Sequence, residues 1–206
     1  MQPTAPRHHL QTTLRIAVVT ETYPPEINGV ARTVGVMVDG LLDWDRRWAR
    51  RLNSTASIRT VRNLLRLASR LGDGVFWYSV MFALIVTLGI PGAIIAGRML
   101  VTGAIGLFFY KLLKSRTTRP RPYQVLGDVC PGIDPLDAFS FPSGHTLHAV
   151  AFTVVATCHI PALAWVLVPF SMLVALSRIV LGLHYPSDVL AGAAIGAGVA
   201  GVVLAL

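Results

Sequence analysis

Residues 162–183 read ALAWVLVPFSMLVALSRIVLGL and carry one charged side chain, that of Arg178. A run of this length and composition can cross the hydrocarbon core of a bilayer as an α-helix. Four more apolar runs lie before and after it, at residues 75–88, 93–113, 145–160 and 189–206. The run at 75–88 is short for a span, and tilt or a neighbouring apolar residue can extend it. The sequence therefore predicts an all-α membrane bundle of about five transmembrane helices.

The overall composition also favours a membrane as the solvent. Of the 206 residues, 53% are hydrophobic and only 14% are charged, and the mean hydropathy is +0.60. A soluble domain of this size with so few charged residues has too little polar surface to cover its core. We therefore expect an integral membrane protein. Its expected location is a bacterial inner (plasma) membrane.

Three short polar strings lie at the ends of the apolar runs. They are, in chain order, Lys114 with Arg121, Pro142-Ser143-Gly144-His145, and Ser177-Arg178 with His184 and Asp188. The three cations can neutralise the oxygens of a phosphoryl group, to which a hydroxyl and a backbone N–H can donate hydrogen bonds. The two histidines can divide the roles of nucleophile and acid. This chemistry needs no metal ion, and we expect no cofactor.

These strings resemble the signature of the type 2 phosphatidic acid phosphatase family, which also includes vanadium-dependent haloperoxidases. The resemblance extends over roughly residues 41–206 and rests on several specified identities in a fixed order and spacing. It implies a helical membrane phosphatase that removes phosphate from a lipid phosphate or diphosphate through a phosphohistidine. Phosphatidic acid, phosphatidylglycerophosphate and polyprenyl diphosphates are all compatible substrates.

The resemblance also implies a role for each residue of the strings. His184 is expected to be the nucleophile, Asp188 to hold its other ring N–H, and His145 to be the general acid. The expected phosphate ligands are Lys114, Arg121, Ser143, Gly144 and Arg178. His145 also begins a predicted helix, where backbone N–H groups favour a bound anion.

The order of the predicted helices brings these strings to one end of the bundle. Lys114 follows the second helix, His145 begins the third, and Asp188 begins the fifth. In an antiparallel bundle these places share one membrane face. Arginines before the first helix favour the cytoplasmic face. If residues 41–71 instead dip into the bilayer, the site would lie on the opposite membrane face. The sequence therefore does not decide which face carries the site.

Residues 41–72 form a basic segment before the first apolar run. It carries eight arginines, and Ile58, Val61, Leu65 and Ala68 recur at helical spacing among them. We predict one or two amphipathic helices lying on an anionic membrane surface. Nucleic-acid binding is the alternative for a chain with a pI of about 10.3, but the sequence shows no groove-reading module or stacking platform.

The first forty residues have a different character. Residues 14–20, LRIAVVT, predict a buried strand, and residues 21–34, ETYPPEINGVARTV, predict a loop leading into a helix. This order resembles the opening of retaining glycosyltransferases with two Rossmann-like domains. A lone strand and helix cannot bury a core. Residues 1–40 are therefore expected to be a poorly ordered remnant without transferase activity, and residues 73–206 to be the phosphatase domain.

Some alternatives stay open at this point. Arg116 and Arg119 are expected to contact lipid headgroups or solvent, and His148 to be a packed polar residue near the pocket. The loop at residues 115–141 is either a lid or a plain connection. The whole chain could instead be a catalytically inactive membrane scaffold, which is expected to lack a motif residue. A haloperoxidase needs vanadate and usually has a soluble scaffold.

Overall fold

The computed structural model describes residues 29–134 and 137–206, and within them it contains helices and no strand. The eight α-helices are α1 (Gly29–Ser54), α2 (Arg59–Gly72), α3 (Val75–Leu88), α4 (Ile90–Arg116), α5 (Pro122–Val125), α6 (Gly144–His159), α7 (Ala164–Val180) and α8 (Pro186–Ala205). The predicted all-α fold is confirmed. The predicted strand at residues 14–20 lies outside the described residues.

All five predicted apolar helices are present, as α3, α4, α6, α7 and α8. Among the described residues, three helical segments are long and apolar enough to cross a membrane: Ile90–Arg116, Pro161–Val180 and Pro186–Ala205. Helices α2 and α3 meet at a 56° bend and pass the same test only together, which gives up to four spans. The count of five is thus approximate, because α3 and α6 are too short alone.

Helix α6 lies at the centre of the bundle, in contact with α4, α7 and α8. Its side chains Leu147, Ala149, Ala151 and Val155 are fully buried. The apolar core lies between α6 and its neighbours and includes Trp77 of α3. Because the surrounding helices cover α6, this short helix meets protein on most of its surface.

Two glycines of α8 explain how closely it approaches α6. A Cβ atom at Gly192 would collide with the main-chain oxygen of Ser143, and one at Gly196 with that of Leu147. Packing of small residues against a facing backbone is the usual way for membrane helices to associate tightly. This contact fixes the beginning of α8 beside the beginning of α6.

We expect Gly196→Ala to destabilise the bundle, because its methyl group has no room beside the backbone of α6. The expected cost is about 1–3 kcal/mol, the usual cost of overpacking. Gly198→Ala is the matched control, since a Cβ atom at Gly198 meets nothing within 4 Å. Thermal unfolding in detergent measures the difference, and equal melting temperatures for the two variants would contradict this account of the packing.

The basic segment is helical, as predicted, and packs against the bundle. Helices α1 and α2 contact α7, and α1 also contacts α8. The Asn53 side-chain amide of α1 donates to the main-chain oxygens of Cys130 and Val180, at 2.9 Å each. Helix α1 begins at Gly29, so residues 29–40 belong to the same helix as the start of the basic segment.

Candidate active site

The sequence-predicted site residues lie at one end of the bundle. Lys114 is in the last turn of α4, His145 in the first turn of α6, and Arg178 in the last turn of α7. His184 lies in the short connection that follows α7, and Asp188 is in the first turn of α8. The antiparallel arrangement of α4, α6, α7 and α8 thus brings together residues that are up to about seventy positions apart in sequence.

His184 is buried, with only 2% of its surface exposed, and its two ring nitrogens face different groups. Nε2 lies 3.4 Å from the NH1 atom of Arg121, and Nδ1 lies 3.8 Å from Oδ2 of Asp188. Burial lowers the pKa of His184 to about 4; Asp188 counteracts this, and the positive charges of Arg178 and Arg121 add to it. The imidazole is therefore neutral at pH 7, as a histidine nucleophile must be.

Asp188 is fully buried and held from three sides. Its Oδ2 accepts a hydrogen bond from the Tyr185 N–H at 2.8 Å, and its Oδ1 accepts one from Arg119 NH1 at 2.5 Å. Its main-chain oxygen accepts a hydrogen bond from the Ser143 N–H at 3.1 Å. These bonds fix the carboxylate that faces His184 and connect the beginnings of α6 and α8.

Lys114 and Arg121 meet at the carboxylate of Asp137, a residue that the sequence analysis missed. Oδ1 of Asp137 lies 2.6 Å from Lys114 Nζ and 2.5 Å from Arg121 NH2, while the Tyr110 hydroxyl donates to Oδ2 at 2.5 Å. Burial raises the pKa of Asp137, but the hydrogen bonds from Lys114 and Tyr110 outweigh it and lower the pKa to about 2. These two cations therefore bind one carboxylate together.

Arg178 is buried beside them and has a different environment. Its NH1 atom donates to the hydroxyl of Ser69 on α2 at 2.6 Å. Among the described residues, no carboxylate lies within ion-pair distance of Arg178, and its Nε has no hydrogen-bond partner. Arg178 and His145 line a common cavity of about 180 Å³. A buried guanidinium in such a place can hold an anion.

His145 contacts a carboxylate from outside the predicted strings. Its Nε2 makes a hydrogen bond with Oδ1 of Asp73, at the bend between α2 and α3. A carboxylate partner of this kind orients a histidine ring. No residue spacing predicted this pairing, because Asp73 and His145 are 72 residues apart.

The remaining predicted ligands have the following contacts. Ser143 is buried, and its hydroxyl shares a hydrogen bond of 2.9 Å with the Thr146 hydroxyl. Gly144 begins α6 and packs against the ring of Tyr110, so that an added Cβ atom would meet this ring. His148 shares a hydrogen bond of 2.9 Å with the main-chain oxygen of Gly144. It is a packed polar residue beside the pocket.

A larger cavity of about 330 Å³ lies beside His145, between α3, α4 and α6. Its walls include the aromatic side chains of Trp77, Tyr78, Tyr110 and Phe152. Aromatic walls of this kind suit hydrocarbon more than a polar ligand. Among residues 29–134 and 137–206, no cluster of histidine, cysteine, aspartate or glutamate could hold a metal ion.

The prediction that Arg119 contacts lipid headgroups or solvent is wrong. Its side chain is only 12% exposed and lies between Asp45 of α1 and Asp188 of α8, at 2.6 and 2.5 Å. Two buried carboxylates at this place require a cation, and Arg119 supplies it. Arg116, by contrast, is exposed at the end of α4.

Comparison with known proteins agrees with this geometry. Residues 95–206, more than half of the chain, match the PAP2 superfamily. The chain belongs to this superfamily. The matched residues begin within α4, so α1, α2 and α3 lie before the matched part.

Two bacterial proteins are similar to this chain over part of their length. Over 90 residues, the chain is 38% identical to undecaprenyl-diphosphatase BcrC of Bacillus subtilis (strain 168), covering 44% of this chain and 46% of that protein. Over 94 residues, it is 40% identical to decaprenylphosphoryl-5-phosphoribose phosphatase of Mycobacterium tuberculosis, covering 45% of this chain and 50% of that protein. The chain thus spans about half the length of the curated relatives it matches.

Two solved structures share the fold. Aquifex aeolicus LpxE has a TM-score of 0.66 and 26% identity, covering 76% of this chain and 93% of that one. The transmembrane PAP2-type phosphatidylglycerolphosphate phosphatase of Bacillus subtilis has a TM-score of 0.64 and 22% identity, covering 85% of this chain and 90% of that one. The second likeness shows the fold alone. Together with the apolar helices, these similarities identify an integral membrane protein of the PAP2 fold.

Proposed function

We propose that the chain is a membrane phosphatase that hydrolyses a lipid phosphate or lipid diphosphate through a phosphohistidine at His184. The observation that carries the proposal is the placement of His184, whose neutral ring faces Arg121 with one nitrogen and Asp188 with the other. A nucleophile between an anion-binding cation and an orienting carboxylate is the arrangement that covalent phosphate transfer requires. Membership of the PAP2 superfamily supports the same chemistry.

The reaction then proceeds in two displacements. In the first, Nε2 of His184 attacks phosphorus, the bond between phosphorus and the leaving oxygen breaks, and His145 gives its proton to that oxygen. The ring of His184 becomes positively charged, and Asp188 stabilises this charge. In the second, His145 takes a proton from water, whose oxygen attacks phosphorus. The phosphorus–nitrogen bond breaks, and inorganic phosphate leaves a neutral His184.

The charge on the transferred phosphoryl group is balanced by Lys114, Arg121 and Arg178. The first two already bind the carboxylate of Asp137, so their side chains are oriented towards an anion before substrate arrives. Ser143 and the Gly144 N–H add hydrogen bonds in this proposal. Such preoriented donors stabilise charge without reorganisation during the reaction.

The aromatic cavity beside His145 is the proposed place for the lipid chain. Phosphatidic acid, phosphatidylglycerophosphate and polyprenyl diphosphates carry the required hydrocarbon next to a phosphate. The names of the Bacillus and Mycobacterium relatives support the polyprenyl class. The bacterial sources of these relatives also support a bacterial plasma membrane as the location.

Phosphate release from a panel of lipid phosphates tests the proposal. The purified chain in detergent is expected to hydrolyse at least one of the three classes, with EDTA present and without added vanadate. A His184→Asn variant purified in parallel controls for contaminating phosphatases. If no member of the panel is hydrolysed above that control, the inactive scaffold becomes the better account. Activity that appears only as vanadate-dependent halide oxidation would favour a haloperoxidase.

Deletion of residues 1–28 is expected to leave phosphatase activity and membrane insertion unchanged. The deleted residues precede α1, which contacts the site through Asp45. Activity per mole of purified protein and the yield in the membrane fraction measure the effect. A loss of more than about half of either quantity would show that the N-terminal segment contributes to the enzyme.

A further inference from the structure

A connected set of buried charges lies behind the carboxylate that faces His184. Arg119 donates from NH1 to Asp188 at 2.5 Å and from NH2 to Asp45 of α1 at 2.6 Å. Asp45 and Asp188 are both fully buried, and the guanidinium also lies 4.1 Å from the centre of the Tyr185 ring. The set therefore runs from Asp188, whose Oδ2 lies 3.8 Å from Nδ1 of His184, through Arg119 to Asp45.

Asp45 also binds the first turn of α8. Its Oδ1 accepts a hydrogen bond from the Ser187 N–H at 2.9 Å, and its Oδ2 accepts one from the Ser187 hydroxyl. A carboxylate at this position accepts a hydrogen bond from a free N–H group of the first turn, and its negative charge interacts favourably with the positive end of the helix dipole. Ser187 is the neighbour of Asp188 in sequence. Asp45 thus holds both Arg119 and the turn that carries the orienting carboxylate.

The charges of this set change in a favourable direction during the proposed reaction. With a neutral His184, two carboxylates and one guanidinium give a net charge of −1. When Nε2 binds phosphorus and Nδ1 keeps its proton, the ring is positive and the net charge becomes zero. Without Asp45 the same step would change the net charge from zero to +1. A buried unpaired charge is costly, so Asp45 favours the covalent intermediate.

We propose that Asp45 is a positioning residue, which acts through Arg119 and Asp188 to stabilise the positively charged phosphohistidine ring. The inference rests on the proposed function, because it concerns the same nucleophile. Asp45 lies on α1, before the residues that match the PAP2 superfamily. An N-terminal amphipathic helix therefore takes part in catalysis in addition to any contact with the membrane surface.

The first test compares Asp45→Asn with Asp43→Asn in the full chain. Asp43 is on the same helix, but it is exposed and pairs only with Arg46 in the described part of the chain. Asp45→Asn is expected to lower kcat by about tenfold to a hundredfold, while the inhibition constant of inorganic phosphate stays within about twofold. Asp43→Asn is expected to retain wild-type kcat. A wild-type kcat in Asp45→Asn would overturn the inference.

A double variant separates the charge argument from a merely structural role. Asp45→Asn combined with Arg119→Gln removes one charge of each sign and restores the net charge of −1 with neutral His184. The double variant is expected to be at least about fivefold more active than Asp45→Asn alone. If Asp45 and Arg119 only hold the fold together, the second substitution adds to the damage, and that result would overturn the inference.

Folding and activity are controlled separately. Each variant is checked by its elution profile in detergent. If Asp45→Asn is not folded, Arg119→Lys replaces it, since lysine keeps the charge but cannot bridge two carboxylates as arginine does. Arg119→Lys is also expected to lower kcat by about tenfold, and wild-type kcat in it would overturn the inference. An inactive wild type would instead reject the proposed function, which distinguishes the two failures.

Discussion

Replacement of His184 by asparagine is expected to abolish turnover. The side chain of His184 alone is proposed to form the bond to phosphorus, and the asparagine amide is not a nucleophile at pH 7. The loss in kcat is expected to be on the order of 10⁵-fold or more, the size of effect seen when a covalent nucleophile is removed. Phosphate release from the best substrate of the panel measures this loss.

The matched control for this variant is His159→Asn at the opposite end of α6. Nε2 of His159 lies 2.8 Å from NH1 of Arg98. His159 is the last residue of α6, whereas the predicted site residues of this helix are at its beginning. This variant is expected to retain most of the activity. A His184→Asn variant that keeps more than about 1% of wild-type turnover would contradict the assignment of the nucleophile.

His145→Ala is expected to slow the hydrolysis of substrates according to their leaving groups. A lipid phosphate releases a poor alkoxide leaving group, which needs a proton from His145, so its hydrolysis should slow by about 10²–10⁴-fold. An activated aryl phosphate releases a phenolate that needs little protonation, so its hydrolysis should slow by less than about tenfold in the phosphorylation step. Single-turnover assays of both substrates measure the difference.

Removal of a phosphate-binding cation provides the contrast for this prediction. Arg178→Met or Lys114→Met should slow both substrates by similar factors, because the charge on the phosphoryl group is the same whichever group departs. Equal losses for both substrates in His145→Ala would make His145 another phosphate ligand. The contact with Asp73 would then orient a ligand and not an acid.

The positions of the apolar helices, and the end of the bundle that carries the site, could be predicted from the sequence. Apolar runs of helical length appear as α3, α4, α6, α7 and α8, because the membrane requires a continuous apolar surface over the length of each span. The polar strings lie together because they occupy the ends of antiparallel helices. Both results follow from local composition and from helix order alone.

The partners of the site residues could not be predicted in the same way. The packing of α1 brings Asp45 to Arg119. The bend after α2 brings Asp73 to His145. The loop after α4 brings Asp137 to Lys114. Each of these aspartates looks in sequence like an ordinary solvent-exposed acid. Asp45 is buried, whereas Asp73 and Asp137 are partly exposed, and all three contacts depend on how the helices pack, which no residue spacing encodes. Arg119 was misassigned for the same reason.

Trapping the phosphorylated protein tests the central claim most directly. The chain is mixed with a labelled lipid phosphate and quenched in alkali within one turnover, since a phosphorus–nitrogen bond survives alkali and is broken by acid. The account predicts one alkali-stable, acid-labile phosphate on the peptide that contains His184, and none in His184→Asn. Turnover without any trapped phosphate, or label on another residue, would contradict it.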